Sequence, residues 1–118
     1  MENAVIIKKL KFLVDDYACT YTYKNDIGDY YIYANSIFKI KIYEFKQFGD
    51  LDINFISSNE NFHVDPSLDR PKNYAEIIKA KRGIKAFFGN SFEDKFWTLV
   101  AEIIKEKINT LENSYDGK

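Results

Sequence analysis

A chain of 118 residues, 46% hydrophobic and 30% charged, has the composition of one globular domain and the length to bury a core without staples. Seventeen basic and eighteen acidic residues leave a net charge of −1, which gives no electrostatic case for nucleic-acid binding. Cys19 is the only cysteine, so an internal disulfide and a zinc site built on cysteines are both excluded, and the pattern suits a reducing, cytoplasmic setting.

The first apolar residues are interrupted by Lys8, Lys9 and Lys11, so the segment predicts neither a signal-peptide core nor a membrane span. Ile6, Ile7, Leu10, Leu13, Val14 and Tyr17 recur at helical spacing and predict an amphipathic helix over 3–17. The period then changes to two, with Cys19, Tyr21 and Tyr23 alternating against Thr20, Thr22 and Lys24. Asp26-Ile27-Gly28 suits a three-residue hairpin loop that ends in a left-handed glycine, and it pairs Tyr23 with Tyr31 and Tyr21 with Tyr33. A two-residue loop at Asn35-Ser36 pairs Tyr33 with Phe38 and Tyr31 with Ile40. A four-residue loop, Lys46-Gln47-Phe48-Gly49, pairs Ile42 with Ile53 and Ile40 with Phe55.

These registers come from turn chemistry, yet they agree about faces. Cys19, Tyr21, Tyr23, Tyr31, Tyr33, Phe38, Ile40, Ile42, Leu51, Ile53 and Phe55 share one side of the sheet. Thr20, Thr22, Lys24, Tyr30, Ile32, Lys39, Lys41, Tyr43, Asp50, Asp52 and Asn54 share the other. A slip of one residue in any register would mix the two sets. A meander with one core face and one mostly wet face follows.

Residues 57–72 are polar, hold both prolines and read as a long connection. Asn73, with Glu76 three residues on, forms a capping box for a helix carrying Tyr74, Ile77, Ile78, Ile84, Phe87 and Phe88, which Gly83 ends or bends. After a turn at Gly89-Asn90, Ser91 caps a last helix with Glu93 and Asp94 in its first turn. Its buried stripe is Phe92, Phe96, Leu99, Val100, Ile103, Ile104, Ile108 and Leu111, with Trp97 near the margin and a frayed tail from Asn113. The expected fold is a single two-layer α+β domain over 1–118 in the order αββββαα, a four-stranded antiparallel meander with one N-terminal and two C-terminal helices packed on one face.

Few residues suggest chemistry. Asp50-Leu51-Asp52-Ile53-Asn54 begins like a calcium loop, but the sixth position is Phe55 rather than glycine and the twelfth is Asn61 rather than glutamate, so a half-buried strand explains it better. His63 is the only histidine, and neither a nucleophile elbow nor a glycine-rich oxyanion loop accompanies it. A Cys19–His63 dyad depends on the fold, and Cys19 at the core side of a strand reads as a buried, inert thiol. The basic run Arg70, Lys72, Lys79, Lys81, Arg82 and Lys85 reads as a solvated face.

The wet sheet face is what remains. Tyr30, Ile32 and Tyr43 sit there among Lys39, Lys41, Asp50 and Asp52, and tyrosine offers a large rigid contact with a polar tip. These seven residues are the candidate partner-binding set, for another protein or for a second copy of the chain. The expectation carries no catalytic residue, metal or cofactor. Between Asp15 and Asp69 the chain has ten acidic residues against four basic ones. In size, acidic middle and lack of catalytic residues it resembles the small cytosolic immunity proteins that block toxins, a resemblance of type rather than of motif, which implies a basic toxin surface as partner. The alternatives are a small-ligand or enzymatic domain with a pocket between sheet and helices, using core-facing tyrosine hydroxyls and His63 as its one candidate base, and a homodimeric structural protein.

Overall fold

The computed structural model describes residues 2–58, 60–81 and 91–116; side chains at 46, 80, 81, 91 and 112–116 lie outside the description. The chain forms two compact units, Met1–Val64 and Asp65–Lys118. An antiparallel sheet lies in the first, and helices lie at both ends of the chain, giving the expected α+β class.

The first unit opens with α1 (Ala4–Lys9) and α2 (Lys11–Tyr17) rather than one continuous helix. The break falls at Leu10, whose φ of −103° and ψ of 8° depart from helical values. Its N–H still bonds Ile6 O, and its carbonyl accepts from Leu13 N–H at 3.0 Å, so the chain bends while Ile6, Leu10 and Leu13 stay fully buried. Packing of these three overrides the straight helix that their spacing predicts. Asn3 caps α1 through its side chain, which accepts from Val5 N–H at 3.0 Å. Ala18 ends α2 in the left-handed region at φ 54°, and Cys19 N–H then reaches Leu13 O at 3.0 Å.

Five strands follow: β1 (Thr20–Asn25), β2 (Asp29–Ala34), β3 (Phe38–Phe45), β4 (Asp50–Ser57) and β5 (Asn61–His63), in spatial order β1-β2-β3-β4-β5. The first hairpin has the expected register, Tyr23 opposite Tyr31 and Tyr21 opposite Tyr33. The third has Ile42 opposite Ile53 and Ile40 opposite Phe55, also as expected. The second differs. Tyr33 faces Ile40 and Tyr31 faces Ile42, because Asn35 opens the turn instead of lying inside it. Asn35 Oδ1 accepts from the N–H groups of Ile37 and Phe38 at 2.8 and 2.9 Å, and Asn35 N–H bonds Phe38 O at 3.0 Å. The loop is therefore Ser36-Ile37, and the register moves by two residues, which leaves every side chain on its expected face. β5 is a fifth strand inside what reads as a connection; Phe62 opposes Phe55 and His63 opposes Asn54.

Tyr31, Tyr33, Phe38, Ile40, Ile42, Ile53 and Phe55 are buried, while Tyr21 and Tyr23 are half-buried toward the β1 edge. Leu51 departs from the expected core set at 39% exposure, since it opposes Glu44 at the end of the face. The N-terminal helices lie on this side. Asn3 N–H donates to Tyr31 Oη at 2.7 Å, Asn3 Nδ2 donates to Glu44 Oε2 at 3.4 Å, and the Tyr17 and Phe38 rings meet edge-on at 6.1 Å.

The second unit is helical. Asp65 caps α3 (Pro66–Asp69) through a bond from Ser67 N–H at 3.0 Å. α4 (Pro71–Lys81) starts two residues before the expected Asn73 cap, because Pro71 is preset for the first helical position. α5 (Ser91–Asp116) carries Glu93 and Asp94 in its first turn. Trp97 is 1% exposed, so it is core rather than margin, alongside Leu99, Val100, Ile103, Ile104 and Ile108. Arg70 on the α3–α4 junction bonds the Glu106 carboxylate of α5. The expected roles of Gly83, Ile84, Phe87, Phe88 and Gly89-Asn90, and the basic residues Arg82 and Lys85, lie outside the described residues.

Candidate functional site

The outer face of the sheet follows directly from the registers. One row across the strands is Lys24, Tyr30, Tyr43 and Asp52. The next is Thr22, Ile32, Lys41, Asn54 and His63. The third is Thr20, Ala34, Lys39, Ile56 and Asn61. Asp50 lies opposite Phe45, one row beyond Tyr43 and Asp52, so all seven candidate residues share this face. Tyr30, Ile32 and Tyr43 are half-buried; Lys39, Lys41, Asp50 and Asp52 are exposed.

The face is polarised along the strands. Lys39 and Lys41 occupy the end near the β2–β3 turn, and Asp50 and Asp52 occupy the end near the β3–β4 loop. An aromatic line lies at the acidic end. The Tyr30 and Tyr43 rings are 4.8 Å apart, Tyr43 and Phe45 are 6.5 Å apart, and Phe45 and Phe48 meet edge-on at 4.7 Å. Lys41 Nζ stands 5.8 Å from the Tyr30 centroid, close enough for a cation–π contact. Phe48 is 69% exposed and Ile27, in the β1–β2 loop, is 76% exposed, so this end of the sheet offers open apolar surface.

Gly28 has a different duty from the expected one. Its φ is not positive. A Cβ there would lie 2.6 Å from Tyr43 Cε1, so the glycine exists to let the Tyr43 ring lie across the hairpin loop. That cover raises the Tyr43 hydroxyl above its ordinary pKa, first by burial and then by Tyr30, Asp50 and Asp26 nearby. Tyr43 thus sits between an apolar neighbour, Tyr30, and two carboxylates.

His63 joins this face at its far edge, where Nδ1 lies 3.1 Å from Asp52 Oδ1. The imidazole is 73% exposed, so this is a solvated surface link. Asn54 Nδ2 donates to Asp52 Oδ2 at 3.2 Å and holds the same carboxylate. Cys19 and His63 do not meet: β1 and β5 are opposite edges of the sheet, about 19 Å apart at ~4.8 Å per strand. Burial also raises the Cys19 thiol, which makes it a poorer nucleophile.

The core-facing tyrosine hydroxyls are mostly committed inside the first unit. Tyr31 Oη accepts from Asn3, Tyr21 donates to the Glu2 carboxylate, and Tyr23 donates to Asp29 Oδ1 at 2.6 Å. A ligand would have to displace these bonds. A groove of about 400 Å³ between α4 and α5 is lined by Asn73, Glu76, Ile77, Thr98, Leu99 and Glu102 and holds no histidine or cysteine. Sequence reasoning missed Phe45, Phe48 and His63 as members of the outer face. The first was readable from the period, two residues after Tyr43; the other two depend on a loop conformation and on a short strand. Among the described residues no helix is long and apolar enough to cross a membrane. Comparisons with protein-family models, with curated proteins and with solved structures find no match to this chain.

Proposed function

We propose that this chain is a non-enzymatic, cytoplasmic protein-binding domain that docks a partner on the outer face of its sheet, the partner presenting a basic surface to the acidic, aromatic end. The half-exposed Tyr30–Tyr43 pair carries this reading. Two large rings in van der Waals reach of each other stand at the acidic end of a charged face, where threonine or lysine would serve a purely solvated sheet equally well. Asp50 and Asp52 beside them supply the charge that steers a basic partner, and Lys39 and Lys41 at the other end fix its orientation. Inhibition of a basic toxin, the mode implied by the likeness in type to immunity proteins, is the form of binding that fits this layout.

Affinity capture from the native host, with wild type and Tyr30→Ala/Tyr43→Ala as parallel baits, tests this. A protein retained by the first and lost by the second supports the reading, provided both baits melt as folded proteins. Identical capture by both baits overturns it.

A further inference from the structure

We infer that β1 is an assembly edge, and that it pairs antiparallel with β1 of a second copy about a twofold axis through Tyr23. Three observations converge on this, and none depends on the outer-face partner.

The first is that β1 is an open edge of unusual quality. Among the described residues β2 is its only strand neighbour. Its register runs unbroken from Thr20 opposite Ala34 to Asn25 opposite Asp29, so no bulge interrupts it. It holds no proline, and Lys24 is its only charge. Proteins that keep an edge single normally use those very devices against pairing. The opposite edge, β5, is only three residues long.

The second is the direction of the backbone groups. Opposite residues in an antiparallel ladder alternate between pairs that exchange both hydrogen bonds and pairs that exchange none. Asp26 N–H bonds Gly28 O at 2.9 Å, which sets the phase at the loop. Counting back, Lys24, Thr22 and Thr20 bond inward to Tyr30, Ile32 and Ala34. Tyr21, Tyr23 and Asn25 therefore turn their N–H and C=O groups outward. The close ring pairs Tyr21–Tyr33 at 5.0 Å and Tyr23–Tyr31 at 5.3 Å agree, because side chains approach more closely in non-bonded pairs.

The third is self-complementarity. With the axis at Tyr23, each Tyr23 faces its symmetry mate and Tyr21 faces Asn25 of the other copy. All three outward-turned residues then meet outward-turned residues, which forms six backbone hydrogen bonds. Thr22 faces Lys24 of the other copy on the outer side, so no like charges are opposed. Tyrosines stay on the core side and Thr22 and Lys24 on the outer side, as the face assignment requires. The result is a continuous ten-stranded sheet that leaves both Tyr30–Tyr43 surfaces open.

Thr22 and Lys24 are exposed, so they report on pairing without entering the core. Sedimentation equilibrium over a concentration series reaching the millimolar range should show a monomer–dimer equilibrium for the wild type. Thr22→Lys places lysine opposite Lys24 twice per dimer and should weaken dimerisation about tenfold. Adding Lys24→Glu in the same chain restores opposite charges and should return the affinity to the wild-type level or above. Circular dichroism melts confirm that all three fold. A wild type that stays monomeric throughout, a dimer indifferent to Thr22→Lys, or a double variant that is not restored would each overturn the inference.

Discussion

Several single residues carry more than their type suggests. Ala18 occupies a left-handed conformation that costs an alanine roughly 1 kcal/mol, and glycine would meet none of that cost. Ala18→Gly is expected to raise stability by about 0.5–1 kcal/mol in urea unfolding, since Cys19 N–H to Leu13 O would be kept. Burial pushes the Tyr31 hydroxyl up to about 12, against an ordinary value near 10. An unfolded chain releases this proton first, so the contribution is intact below about pH 10 and is lost as pH rises through about 12. Thermal melts from about pH 8 to about pH 12 should show stability falling in that window, and Tyr31→Phe should fall less steeply. Gly28 shows the limit of reading single residues from sequence. The turn chemistry of Asp26-Ile27-Gly28 gave the right loop length and register, but the reason for glycine is the Tyr43 ring lying over it, a contact made by a residue fifteen positions away.

At the scale of elements, alternation decided faces and turns decided registers. The faces held even where a register did not, because the error at the β2–β3 turn was two residues and not one. Asn35 is the residue responsible. Its Oδ1 serves two backbone N–H groups, and its Nδ2 donates to Tyr17 O at 2.9 Å, tying the hairpin to the end of α2. Asn35→Ala should cost about 1–2 kcal/mol, well above an ordinary surface change, and Asn35→Asp should keep the turn and lose only the tie to Tyr17. A loss within about 0.5 kcal/mol for the alanine variant would show that the turn does not need its cap. β5 was invisible in the sequence because three residues, Asn61-Phe62-His63, give too short an alternation to stand out from a polar connection. The α1–α2 break was invisible for the opposite reason: the spacing of Ile6, Leu10 and Leu13 fits a straight helix, and all three stay fully buried although the chain bends at Leu10.

In the molecule as a whole, the first unit divides its tyrosines by face. Tyr31 and Tyr33 are core, with Tyr21 and Tyr23 closing its margin through Glu2 and Asp29. Tyr30 and Tyr43 face outward beside charged neighbours. This division was legible from the alternation alone; the placing of Tyr30, Tyr43, Asp50 and Asp52 toward one end of the outer face and of Lys39 and Lys41 toward the other, with Lys24 in the aromatic row, needed the registers. If the outer face docks a partner as proposed, its energy should concentrate in a few central aromatics, and Tyr43 touches Tyr30, Phe45 and the Gly28 loop. The decisive measurement is calorimetric titration of the captured partner against wild type and Tyr43→Ala, with a thermal melt of each protein. The account predicts binding weakened at least ~30-fold in the variant, with the fold retained. Equal affinity for wild type and variant would contradict it.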